Sequence, residues 1–137
     1  MSECAIMQPT YFPWAGYINL INQVDVFIFL DDVQFERGTW QNRNRILLNG
    51  QPHWLTVPAS RQYLGQAINQ IEIDDKKNWR QKHFKMLSNT YVKHPYVDQM
   101  MEVVREILDL EIKYLSELNI KIILDLLKKL GATTKIL

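Results

Sequence analysis

Two short apolar runs, Cys4-Ala5-Ile6-Met7 and Val26-Phe27-Ile28-Phe29-Leu30, constrain the fold more than any other feature of the sequence. Each has the length of a buried strand, and each ends at a turn signal, Gln8-Pro9 or Asp31-Asp32. Between them Trp14, Tyr17, Ile18, Leu20 and Ile21 recur at helical spacing, while Thr10 and Pro13 suit a turn leading into a helix. Strand, helix and strand in this order favour parallel pairing through a right-handed crossover over a hairpin. The expected fold class is α/β, built around a parallel sheet.

The pattern then shortens. Arg45 to Leu48, His53 to Val57 and Ala67 to Ile73 read as strand-like pieces, with Asn49-Gly50 as a hairpin turn and a loop from Pro58 to Gly65. Beyond Asp74-Asp75 the spacing is helical through Leu87, again from Val97 to Leu108, and again from Leu115 to Leu130. Asn119 is read as a cap of the last helix, Gly131 as its stop and Thr133 to Leu137 as the start of another strand. The expectation is one domain over residues 1–137, with a β-hairpin insertion and a helical C-terminal part.

A protein of 137 residues that is 47% hydrophobic has enough apolar material to bury one core. Its net charge of +1 supplies no global field toward nucleic acid or an anionic membrane, so any anion must be held by local groups. Cys4 stands alone, which excludes an internal disulfide framework and a Cys-rich zinc site; it reads as a small core residue in a reducing compartment. The start lacks signal-peptide character, and the longest apolar run falls far short of the ~20 residues of a membrane helix. A soluble cytoplasmic protein is expected. His53, His83 and His94 show no metal-ligand spacing, and no metal or cofactor is assigned.

In open parallel sheets, ligands bind beyond the carboxyl ends of the strands. The segment Gln8 to Arg45 sits at that edge and carries the candidate site. Tyr11, Trp14 and Tyr17 would flank a ring, and Gly16 would admit a close approach. Gln8 and Gln34 are neutral donors and acceptors, and Asp31 or Asp32 would orient a hydroxyl or act as a base. The run Trp40-Gln41-Asn42-Arg43-Asn44-Arg45 places two arginines on one face of an extended segment, suited to a phosphate or carboxylate, with the amides on the other face. His53 is an acid–base candidate. Each also has a plain structural alternative: aromatics packing a helix on the sheet, solvated turn carboxylates, surface arginines and a packed strand histidine.

The segments MQPTYFPWAGYINLI, DVFIFLDDVQF, WQNRNRI and HWLTVP, in this order, resemble the N-terminal portion of the WbqC-like protein family. The resemblance implies a setting in surface-polysaccharide or modified-sugar synthesis, and a protein truncated at its C-terminal side relative to the family. A more distant likeness, to nucleotidyltransferase-like Rossmann domains, implies a Rossmann-like sheet with a binding edge. Those enzymes place H-x-G-H at the helix start, where Trp14-Ala15-Gly16-Tyr17 stands here. Together these imply a transferase-like enzyme that binds a sugar, nucleotide or acyl donor, with a non-catalytic ligand- or partner-binding module as the alternative. Nucleic acid is not an expected partner, and an apolar edge near Leu137 makes a homo-oligomer the expected assembly.

Overall fold

A computed structural model describes residues 1–60 and 65–137. The expected loop from Pro58 to Gly65 falls partly outside the described residues. Strands β1 (Cys4–Met7), β2 (Val26–Phe29) and β5 (Lys135–Ile136) form a parallel sheet in the order β1-β2-β5. Ile6 pairs with Ile28 and Phe27 with Ile136. Helix α1 (Ala15–Gln23) makes the crossover, so Gln8 and Asp31 both lie past the carboxyl ends of their strands, as the helical spacing predicts.

Strand alternation decides which side chains are covered. Ala5, Met7, Phe27 and Phe29 belong to a core completed by Tyr17, Ile18 and Ile21 of α1 and by Ile123 and Leu127 of helix α4 (Leu115–Lys129). Cys4 shares the other face with Ile6 and is exposed, not a core residue.

Strands β3 (Arg43–Leu48) and β4 (Gln51–Thr56) form an antiparallel hairpin. Asn49 and Gly50 both take positive φ, +52° and +74°, as a two-residue hairpin turn requires. This tight turn pairs Leu48 with Gln51 and carries the ladder back to Arg43 and Thr56, so β3 begins two residues before the expected Arg45.

The stretch Ala67 to Ile73 is not a strand. It contains a 3₁₀ turn over Ile68–Gln70, and its residues meet three different segments through single bridges, Gln34 with Ala67, Ala59 with Ile73 and Glu72 with Tyr114. No continuous partner means no ladder. Helices α2 (Trp79–Tyr91) and α3 (Val97–Leu108) close a second core around Tyr11, Leu55, Val57, Ile68 and Leu118. Asn119 does not cap α4; it lies in its second turn, fully buried, while Gly131 follows the helix at φ +69°. Among the described residues no helix is long and apolar enough to cross a membrane.

Candidate functional site

The loop after β1 is held from inside. The Tyr17 hydroxyl donates to the Gln8 carbonyl at 2.8 Å, and Asn119 Nδ2 donates to the carbonyls of Pro9 (3.3 Å) and Gln41 (2.8 Å). Asn44 Nδ2 donates to the carbonyls of Tyr11 and Phe12. These donors fix a loop in which Phe12 takes φ +44°, a left-handed conformation costly for a bulky residue. Tyr11 and Tyr17 are 0% and 1% exposed, so neither offers a free face to a ligand ring, because both complete the cores under the loop. Gly16 does not admit a ligand either. A Cβ there would fall 1.8 Å from the Trp14 ring, which occupies that space.

The outer face of the hairpin is built differently. Arg43 and Arg45 share it with Trp54, their guanidinium carbons 3.8 and 5.2 Å from its ring centroid, and Trp40 stacks beside Trp54 at 5.8 Å. Trp40 is 52% and Trp54 42% exposed. The amides face inward: Asn42 receives the Gly38 N–H and donates to the Val57 carbonyl, and Gln41 receives the Glu36 N–H. Gly38, at φ +76°, completes the turn that delivers the backbone to Arg43.

Between this face and the start of α2 lies a cleft of about 620 Å³. Arg37, Arg43, Lys77 and Lys82 line it, against one carboxylate, Asp74, among the described lining residues. Arg43 Nε is buried with no hydrogen-bond partner among the described residues. The first turn of α2 also opens on the cleft and carries no acidic residue and no side-chain cap, which favours an anion at its N-terminus.

His83 forms the wall behind. Its Nδ1 lies 2.8 Å from the Tyr11 hydroxyl in a buried contact. Burial, aided by the charge of Lys82, pushes His83 down to about 4 against a hydrogen bond with the Thr56 backbone, so the ring is neutral at pH 7. Burial raises Tyr11 well above the ordinary phenol range against the charge of Arg80, so its hydroxyl keeps its proton in this contact. Through this contact His83 joins α2 to the loop after β1. Asp75 anchors the helix start: it receives hydrogen bonds from Trp79 Nε1 and Arg80 Nε, both at 2.9 Å. Burial raises its carboxyl, but the hydrogen bonds of Arg80 and Trp79 outweigh this and the net direction is down.

The remaining sequence candidates do not converge on the cleft. Asp31, Asp32 and Gln34 lie in the loop past β2, and Gln34 bridges to Ala67. His53 is exposed on β4 opposite Ile46, near the hairpin turn. Gln8 accepts a 2.7 Å hydrogen bond from Gln41, which ties the two loops. Lys77, Lys82 and Asp74 carry no sequence signal of their own; only the docking of α2 on β3 places them.

A family model described as the WbqC-like protein family matches residues 8–137. The uncharacterized protein Rv1507c of Mycobacterium tuberculosis is 33% identical over 138 residues, which cover 99% of this protein and 59% of the relative. The sequence thus spans less than two thirds of the length of that curated relative. No solved structure matches it.

Proposed function

We propose, from the premise that this protein belongs to the WbqC-like protein family, that it is a transferase-like component of surface-polysaccharide or modified-sugar synthesis. Its ligand is a phosphate- or nucleotide-bearing small molecule seated in the cleft between the hairpin and α2. One observation carries this: among the described residues, four cationic side chains and a single carboxylate line one cleft of a protein whose net charge is only +1. A cleft so lined focuses its field on an anion. Arg43, stacked on Trp54, presents a planar fork of the kind that grips phosphate or carboxylate, and Lys77 and Lys82 add point charges.

Chemistry in such a site is mostly positioning. Asp74 replaces Asp31 and Asp32 as the carboxylate that orients or deprotonates a hydroxyl, because it lines the cleft and they do not. A second reading, a ligand-binding module without turnover, is favoured by the burial of His83 and its contact with Tyr11, which keep the ring neutral and tied into the core. Calorimetric titration with UDP-glucose and with pyrophosphate tests the binding. Saturable binding that weakens about tenfold or more in Arg43→Lys supports it; no binding of either probe contradicts it. Release of UDP from UDP-glucose on incubation with sugar acceptors separates enzyme from module.

A further inference from the structure

We infer that the apolar groove at the far end of α2 is a second ligand site, for an extended hydrocarbon tail with an anionic end. The inference is independent of the reading of the cleft.

The groove, of about 680 Å³, runs between the loop after β1, the end of α2 and the start of α3. Its size is that of a small-molecule site. Its floor reaches Leu55, Leu87 and Val104 of the core, while its walls, Trp14, Tyr91, Tyr96 and Met100, are all exposed. Trp14 and Tyr96 are each 69% exposed. Contiguous apolar exposure of this kind costs free energy in water unless something covers it.

Three features select the occupant. The walls are preformed: the Trp14 ring is seated over Gly16, where no side chain competes for its place, and Pro13 and Pro95 stiffen the two loops that face it. The lining is adaptable toward a plain hydrocarbon, with Met100 and Met101 able to follow an irregular aliphatic surface. The charge is one-sided: Arg45 lines the groove, and no Asp or Glu does so among the described residues. Tyr91 holds His94 through an edge contact of 5.4 Å. The carboxylates Asp98 and Glu102 line an adjoining cleft on α3 that shares His94, Pro95, Val97 and Met101 with the groove, whereas Arg45 lines the groove alone. A neutral or cationic amphiphile would leave Arg45 unanswered; a tail ending in carboxylate or phosphate would not.

Decanoate and decyl phosphate, titrated below their micelle concentrations and followed by 1H–15N and methionine-methyl NMR, test this, with decyltrimethylammonium as the cationic control. Both anionic probes should shift the Trp14 indole, Val97 and the Met100 methyl and saturate. The cationic probe should bind at least fivefold more weakly. Met100→Glu, at an exposed position, should weaken decyl phosphate at least tenfold, and Arg45→Gln should erase the preference for the anionic probes while leaving the fold intact. Absence of shifts at these groups, equal binding of the cationic probe, or unaltered affinity in both variants would overturn the inference. So would groove resonances that respond to protein dilution instead of to the probes, since a second copy of the protein would then be the occupant.

Discussion

The loop after β1 and the outer face of the hairpin are drawn from similar residues, aromatics and amides with a glycine, yet they stand in opposite states. Around the loop, Tyr11 together with Tyr17 of α1, the inward-facing Asn44 of β3 and Asn119 of α4 hold backbone carbonyls and the His83 ring in place. On the hairpin, Trp40, Trp54, Arg43 and Arg45 stack on one another at the surface, and neither arginine is ion-paired among the described residues. The first region is a scaffold and the second is a presenting face. The difference lies in how the donors are used: those of Tyr17, Asn44 and Asn119 are taken up by backbone carbonyls within the fold, while Arg43 Nε is left without an acceptor among the described residues.

The largest effect that would sharpen this contrast belongs to the scaffold. Asn119→Ala leaves the carbonyls of Pro9 and Gln41 without their donor in a buried site, and urea denaturation should show a loss of about 3 kcal/mol, at ~1–3 kcal/mol per unsatisfied group. A loss below ~1 kcal/mol would mean that the loop is not held as described.

A nearly equal effect is expected from pH. His83 titrates near 4 in the fold against 6.5 when exposed, so the unfolded state gains its proton first as pH falls. The stability present above pH 6.5 is therefore lost progressively as pH drops through 4, by roughly 3 kcal/mol in all from this group. Denaturation midpoints measured from pH 7.5 to 4 should show that decline, and His83→Gln should flatten it.

On the presenting face the expectation reverses. Arg43→Lys should cost ~1–3 kcal/mol in affinity for a phosphate-bearing ligand but no more than ~1 kcal/mol in stability, the worth of a stacked cation. A large stability loss would move Arg43 into the scaffold and dissolve the comparison. Smallest of all, His53→Ala should change stability by no more than ~0.5 kcal/mol and binding not at all, since the ring is exposed and away from the cleft.

Much of the fold was legible because it is written in local periodicity. The two apolar runs gave parallel strands, Asn49-Gly50 gave the hairpin turn, and the alternation of Arg43 and Arg45 with Asn42 and Asn44 gave the two faces of that segment. What was not legible depends on long-range partners. Asn119 resembles a cap until α4 is found to begin at Leu115, and its true partners are 78 and 110 residues away. Tyr11 resembles a ligand platform until His83, 72 residues on, takes its hydroxyl. The cleft itself needs α2 laid against β3, and Lys77, Lys82 and Asp74 are ordinary surface charges until that happens.

The most direct measurement follows the indole N–H resonances of the four tryptophans during titration with UDP-glucose. Trp54 borders the cleft and Trp14 the loop after β1, so a ligand held by the presenting face should shift Trp54 saturably and leave Trp14 still, with the Trp54 shift lost or strongly weakened in Arg43→Lys. A saturable shift of Trp14 with Trp54 unmoved would place the ligand at the strand-end loop and contradict the account.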